Sequence, residues 1–400
     1  MDVTPVSPGC LSGIRVLDLT QFEAGPSCTE ALAWMGADIA KVENPKGGEA
    51  GRMAFGSDAY YFMVYNANKR SLTVNLKSAR GLELVKQMAK QADVFAENFA
   101  PGAVERLGLG YDVISTLNPR IVYAQIKGFG EGSPYENGLA FDPIAQAAGG
   151  AMSVTGERDG RPVKPGCTIG DTGTGMLMAF SIVSALFERA RTGKGRRLQV
   201  AMQDSVMHYT RGMFVTHART GAAAPRRPFV NNPPGGIYPC KPEGANDYVY
   251  LLTSRANPEH WPRLLKLIGR EELIGDARYA TPEARVEREA EVDAIVAGWT
   301  RGRTKHQAMA QLSAAGVPAG AVLDSMDLVS EPSFRQRQML QTMKHGERTM
   351  TMPTWPVRFD GVPTAVKPAP LLGEHTAEVL GDWLGLDGAA VAGLRQDGIV

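Results

Sequence analysis

The residue that stands most apart as a chemical group is Asp171, in the stretch KPGCTIGDTGTGMLMAF (164–180). Glycine precedes it, Thr-Gly-Thr-Gly follows it, and an apolar run of helical character comes next. An aspartate there can cap a helix, accepting backbone N–H bonds and gaining from the helix dipole. It can also be a carboxylate nucleophile. That role needs open space and oxyanion donors, and small residues with bare N–H groups offer both. A phosphate loop fits least, since Asp171 repels phosphate and no lysine follows the glycines. Capping and attack are compatible, because helix-end donors can hold an attacking carboxylate.

Other candidates lie where strand patterns end. LDLTQFEAGPSC (17–28) has the strand–loop–helix form that brings backbone N–H groups to a phosphate, yet Glu23 inside it argues against a bare anion cradle. A tight turn explains the loop equally well. Lys77 follows the strand pattern of VNLKSARG, where a cation could meet a phosphate. ENFAPGAVERLGLG (97–110) sets Asn98 and Phe99 at a strand end and Arg106 in a short helix behind Pro101. An aromatic ring with nearby cations suits an adenine nucleotide carrying phosphates. Singly these are ordinary surface ion-pair residues or core aromatics; their recurrence at successive strand ends is the signal. GFGEGS (128–133) only partly matches a dinucleotide fingerprint, and Pro134 follows where a helix should open, so a nicotinamide site is rejected.

The elements that must position these residues alternate. Strand patterns at 13–19, 37–43, 71–76, 92–97 and 120–127 are interleaved with helical ones at 26–36 and 77–91. A long helix over 175–195 ends in cations and glycine, and a strand and helix follow over 195–210. This alternation predicts βαβ units and a parallel sheet covered by helices, with ligands at the carboxyl ends of the strands. Between Thr216 and Pro242 the chain turns rich in Ala, Pro, Gly and Arg and reads as a linker. A second alternating region begins at YVYLL (248–252), Met and Thr alternate toward Pro356 as in a returning strand, and the tail is helical.

Composition excludes several classes. Lys+Arg at 43 against Asp+Glu at 42 gives no sign of a nucleic-acid or membrane-surface partner. Four scattered cysteines without a CxxC pair support neither a disulfide framework nor a zinc or redox motif. The six histidines begin only at His208 and lack HExxH spacing, so no metal site is expected. The N-terminus lacks signal-peptide character and the run Met176–Phe187 is too short to span a bilayer, so a cytoplasmic protein is expected.

Several long motifs in order, LDLTQFEAGPSCTEALAWMGADIAKVENP, NANKRSLTVNLKSARG, ENFAPGAVERLGLGYDVISTLNPRIVYAQIKGFG, FDPIAQAAGG, GDTGTGM and APLLGEHTAEVL, resemble family III CoA-transferases. The resemblance runs from about Leu11 to the tail. It implies an α/β fold with a Rossmann-like parallel-sheet large domain and a smaller α/β domain, in an interlocked homodimer. The domains would be residues 1–216, a linker at 217–242, a small domain at 243–330, and a return linker with the rest of the large domain at 331–400. It implies that Asp171 attacks an acyl-CoA, and that mixed-anhydride and aspartyl-CoA thioester intermediates carry CoA to an acceptor carboxylic acid. CoA contacts fall at Glu23, Ala24, Lys77, Asn98, Phe99 and Arg106, with Asp142 near the thioester. Coenzyme A thioester is then a substrate, with no permanently bound cofactor.

Two departures from the pattern stand out. Glu23 occupies a position commonly held by glutamine, and FVNNPPGG (229–236) keeps only two glycines where the oxalate enzymes carry a glycine-rich lid. The altered lid, with Arg226, Arg227 and Tyr238 nearby, suggests a larger or dicarboxylic acyl group such as succinyl. A related 2-methylacyl-CoA racemase activity needs a second acid–base group, and Phe141 stands where the racemases place histidine. A catalytically silent CoA-binding protein is the third alternative, against which the GDTGTG motif argues.

Overall fold

Short apolar runs rich in β-branched residues, each followed by an amphipathic stretch, build a six-stranded sheet in this computed structural model, which describes residues 9–56, 59–226 and 233–400. The strands are β1 (Arg15–Asp18), β2 (Asp38–Glu43), β3 (Arg70–Thr73), β4 (Val94–Glu97), β5 (Val122–Lys127) and β6 (Arg196–Ala201). All pair in parallel in the order β3-β2-β1-β4-β5-β6. The order reverses between β1 and β4, which opens a crevice at their carboxyl ends.

Successive strand residues serve opposite faces. Val16, Val94, Ala96, Val122 and Ala124 pack with Ala31 and Leu32 of the helix Ala24–Trp34 and with Met178, Ile182 and Ala185 of the helix Thr172–Thr192. Leu17, Phe95 and Tyr123 face the other layer. There the helix Ala79–Gln91 supplies Leu84, Val85 and Met88, spaced on one side as its helical period requires. The chain's last helices, Thr376–Leu384 and Gly388–Gln396, add Val379, Leu380, Trp383 and Leu394 to that layer. Arg70 fastens the tail, binding Asp38 at 2.6 Å, Asp382 at 2.7 Å and Glu378 at 2.9 Å. The chain divides into two compact units, Met1–Pro225 with Arg335–Val400, and Arg226–Phe334.

The second unit holds an antiparallel sheet of β7 (Gly235–Pro239), β8 (Tyr248–Leu252) and β9 (Ala319–Ala321). Its core gathers Tyr238, Val249, Trp261, Leu264, Val292, Val296 and Leu312. Thus Gly235–Pro239, inside the stretch whose composition reads as a linker, pairs with β8. The single returning strand expected toward Pro356 is a hairpin of β10 (Leu340–His345) and β11 (Arg348–Pro353). Gly346 at φ 59° makes its two-residue turn, a conformation open to glycine. β3 ends at Thr73 although its apolar pattern continues, because Asn75 N–H turns away to the carbonyl of Ile399. No helix among the described residues is long and apolar enough to cross a membrane.

Charges are buried under the carboxyl ends of β1 to β3. Arg52 makes a two-pronged contact with Glu43 at 2.6 and 2.7 Å, and Ser71 Oγ donates to Glu43 at 2.6 Å. Lys69 Nζ lies 3.3 Å from Asp18, with both side chains fully buried. Glu30 accepts the Ala67 N–H at 2.8 Å, and burial pushes its carboxyl up to about 8, against the pull of Lys69 and of that N–H. Such a group binds its proton more tightly in the folded chain. Its contribution to stability is therefore complete below its ordinary 4.5 and is lost as pH rises through about 8. Urea titrations across that window should show stability falling with pH in the native chain and a flatter profile in Glu30→Gln.

Candidate active site

The loop after β1 is shaped from below. Asp18 is fully buried and accepts Thr20 N–H at 2.8 Å, Thr20 Oγ at 2.5 Å and Thr29 Oγ at 2.7 Å. Burial alone would raise its pKa, but Lys41, Lys69 and these hydroxyls outweigh it and hold Asp18 at about 2. Lys41 Nζ donates to the Thr20 carbonyl at 2.8 Å. Phe22 then adopts φ 61°, unusual for a bulky residue, and donates its N–H to Glu49 at 3.1 Å. From β4, Asn98 clamps the loop, accepting Gln21 N–H at 2.7 Å and donating to Gln21 O at 2.8 Å. The loop therefore delivers Glu23 and Ala24 to the start of the helix Ala24–Trp34 in one conformation.

Asp171 occupies the N-cap position of Thr172–Thr192, yet its side chain makes no capping bond. The work of holding that helix start is done by others. Asp142 accepts Gly170 N–H at 3.0 Å, Thr174 Oγ donates to Gly170 O at 2.5 Å, and Tyr209 OH donates to Gly173 O at 2.8 Å. Gln146 braces the loop from the helix Asp142–Ala148, donating to Asp142 at 2.7 Å and to Cys167 O at 2.9 Å. The small residues of GDTGTG are required by close packing. A Cβ on Gly173 would sit 2.8 Å from the Tyr209 ring, and one on Gly175 would sit 2.5 Å from the Ala24 carbonyl.

The Asp171 carboxylate, which accepts the Asp142 N–H and caps no helix, opens onto a cavity of about 340 Å³ at the β1/β4 switch point. Of the sequence candidates, Glu23, Ala24, Asn98, Phe99 and Asp171 line it together. Asp142 is buried beside it, 3.3 Å from Lys164. Lys77 and Arg106 are exposed and do not line this cavity. Burial, then Glu23, then Asp142 raise the Asp171 carboxyl to about 7, against the Asp142 N–H and Lys164. Phe141 lines the same wall and meets Phe22 edge-on at 5.6 Å.

Three participants escaped sequence reading. Lys127 ends β5 and lines the cavity, its Nζ donating to Glu97 at 3.0 Å and to Phe99 O at 2.7 Å. Tyr61 and Tyr65, four apart on the helix Tyr60–Tyr65, both hydrogen-bond Glu23. Their i, i+4 spacing was visible, but the helix is too short to show a period. Tyr238, expected near an acyl group, is instead a core residue of the second unit whose hydroxyl donates to Asp293 at 2.6 Å. Its burial is what the alternation of β7 imposes. Arg227 and residues 229–232 lie outside the described residues, and Gly235 and Gly236 belong to β7. Among the described residues no cluster of His, Cys, Asp or Glu is arranged to hold a metal ion.

Comparison with known proteins gives the family. The family model described as CoA-transferase family III matches residues 11–376. The chain belongs to CoA-transferase family III. A formyl-CoA:oxalate CoA-transferase of Streptomyces avermitilis is 39% identical, covering 98% of this chain and 99% of its own. One of Rhodopseudomonas palustris is 37% identical, covering 97% of this chain and 96% of its own. Among solved structures, a CAIB/BAIF family protein of Brucella suis superposes with a TM-score of 0.84 at 30% identity, over 94% of this chain and all (100%) of the other. A Mycobacterium tuberculosis protein gives 0.79, also at 30% identity, over 92% and 98%.

Because the Ala24 carbonyl fills the space beside Gly175, Gly175→Ala should force the two helices apart. A loss of about 1–3 kcal/mol is expected in chemical denaturation, the usual cost of overpacking.

Proposed function

We propose that the protein transfers CoA from an acyl-CoA thioester to a carboxylic acid with Asp171 as the covalent nucleophile. The observation that carries this is a carboxylate at a helix start that does no capping and faces a cavity. An Asp171 oxygen attacks the thioester carbonyl, the C–S bond breaks, and CoA leaves as thiolate from a mixed anhydride. The thiolate then attacks Asp171 Cγ, expelling the donor's carboxylate and forming an aspartyl-CoA thioester. The acceptor carboxylate attacks that thioester, giving a second anhydride and thiolate. Attack of this thiolate on the acceptor's acyl carbon yields the new acyl-CoA and frees Asp171. Every step exchanges one carboxylate or thiolate for another, so no proton donor is needed, which suits a cavity with no histidine among the described residues that line it.

Glu23, Ala24, Asn98 and Phe99 would border the pantetheine end of CoA, with Asp142 beside the thioester. Exposed Lys77 and Arg106 would meet its phosphates. The Asn98 amide is engaged on both sides with Gln21, so its part is to hold the loop that forms the CoA wall. Racemisation is disfavoured by Phe141, whose ring packs on Phe22 and cannot move a proton. Formyl-CoA and oxalate are the substrates in the relatives' names. The departure from the oxalate enzymes' lid at 229–236 favours a larger or dicarboxylic acyl group such as succinyl. A cytoplasmic setting accords with four unpaired cysteines.

A homodimer belongs to the same proposal. Phe180 and Phe187 are 74% and 67% exposed on Thr172–Thr192, and the helix Met213–Thr220 buries no residue while exposing Phe214 and Val215. So much surface aromatic area suits burial in a partner copy. Light scattering on the purified protein should give twice the chain mass, and a monomer at micromolar concentration would refute the dimer.

For the reaction, the protein is incubated with formyl-CoA or succinyl-CoA and a mixture of carboxylic acids, and thioesters are read by mass spectrometry. New acyl-CoA species should form and fall by at least about 10⁴-fold in Asp171→Asn, the order lost with a covalent nucleophile. Undiminished exchange in that variant would overturn the assignment. Loss of stereochemistry in a 2-methylacyl-CoA without exchange would establish the racemase instead.

A further inference from the structure

Glu23 is a residue the family pattern does not prepare for, and its surroundings are built for it. It is 3% exposed. Thr172 Oγ donates to its Oε1 at 2.7 Å and Tyr61 OH to its Oε2 at 3.2 Å, and Tyr65 adds a further hydrogen bond. All these partners are hydroxyls giving hydrogen bonds to a group that only accepts, which is how an ionised carboxylate is satisfied. Thr172 follows Asp171 directly in the chain, so its bond to Glu23 fixes one carboxylate relative to the other. Both line one cavity.

We propose that Glu23 is a positioning residue that acts through Asp171, a fixed second carboxylate whose field makes Asp171 a stronger oxygen nucleophile. The proposal rests on Asp171 being the nucleophile. A carboxylate attacks a thioester more readily as its basicity rises, and a like charge across a partly dry cavity raises that basicity. The groups facing Asp171 are Glu23 from the β1 loop, Asp142 from Asp142–Ala148, Lys164 from the preceding loop, and Tyr61 and Tyr65 from Tyr60–Tyr65. Lys164 partly offsets Asp142, which it meets at 3.3 Å, whereas Glu23 is met by hydroxyls alone in the bonds described. After burial, Glu23 is accordingly the largest influence holding Asp171 up. A glutamine at 23 could still accept from Thr172 and a tyrosine, keeping the shape and removing the charge.

The test is the Asp171 titration in the free enzyme, followed by carbon-13 NMR of labelled aspartate carboxyls and assigned by the resonance lost in Asp171→Asn. In Glu23→Gln the Asp171 midpoint should fall by about one pH unit, the scale of a nearby like charge. The acid limb of kcat/KM for CoA exchange should fall with it, and the plateau rate should drop. Glu23→Asp, which restores the charge, should return the limb toward its native position. An unmoved midpoint in folded Glu23→Gln overturns the coupling; a moved midpoint with an unmoved acid limb overturns its part in catalysis. Should Glu23→Gln fail to fold, the all-apolar set Glu23→Leu, Tyr61→Phe and Tyr65→Phe carries the same comparison. Failure of the nucleophile assignment shows separately, as exchange that survives in Asp171→Asn.

Discussion

Everything at the site depends on burying charge beneath the loop after β1. Asp18 and Lys69 are fully enclosed, and Lys41 spends its ammonium on the Thr20 carbonyl. Ions in such a place are tolerable only when every lone pair and proton has a partner, and removing one partner typically costs about 3–5 kcal/mol. The loop therefore has one low-energy shape. Phe22 is held at φ 61° because its N–H reaches Glu49, and Gln21 is held because Asn98 takes both its N–H and its carbonyl. The switch point of the sheet supplies the crevice, and the buried ions decide which side chains look into it.

The second half of the site is shaped by crowding. Helix against helix, Ala24–Trp34 and Thr172–Thr192 approach so closely that Gly175 has no room for a Cβ. That approach brings the start of one helix against the start of the other, and with them Glu23 and Asp171. A carboxylate at a helix start would ordinarily be consumed as a cap. Here Asp142, Thr174 and Tyr209 brace the turn, so Asp171 is left to the cavity, at the electrostatic cost of sharing it with Glu23. On the proposed mechanism, stability would be given up locally where reactivity is gained.

On the proposed function, Phe141 is the side chain that would separate transfer from racemisation on a common frame. Its ring closes against Phe22 instead of presenting a proton carrier, while the carboxylate opposite remains accessible. Carboxylate and thiolate exchange asks for a nucleophile and a shaped, partly dry cavity. Proton abstraction asks for a second titrating group as well, and the wall offers none at that position.

Much of this was legible in the chain. The parallel sheet followed from alternating strand and helix periods, because buried parallel strands are short apolar runs and their crossovers must be amphipathic. Glu23, Asn98 and Phe99 were legible because their polar or aromatic types fall where strand patterns stop, and Asp171 because it stands alone among small residues before a helix. Lys127 and the pair Tyr61 and Tyr65 were not, since Lys127 is marked only by its contacts with Glu97 and Phe99 and a six-residue helix carries no periodic signal. Nor could Tyr238 be placed, because the linker-like composition around it hides the alternation of β7. By itself the sequence determined which residue types stand at strand ends and where glycine must replace a side chain. Only the tertiary structure decided that Asp171 is spared from capping and that Glu23 faces it. The first arises from bracing by Asp142, Thr174 and Tyr209, and the second from a contact across 149 positions, Glu23 with Thr172, which no local pattern encodes.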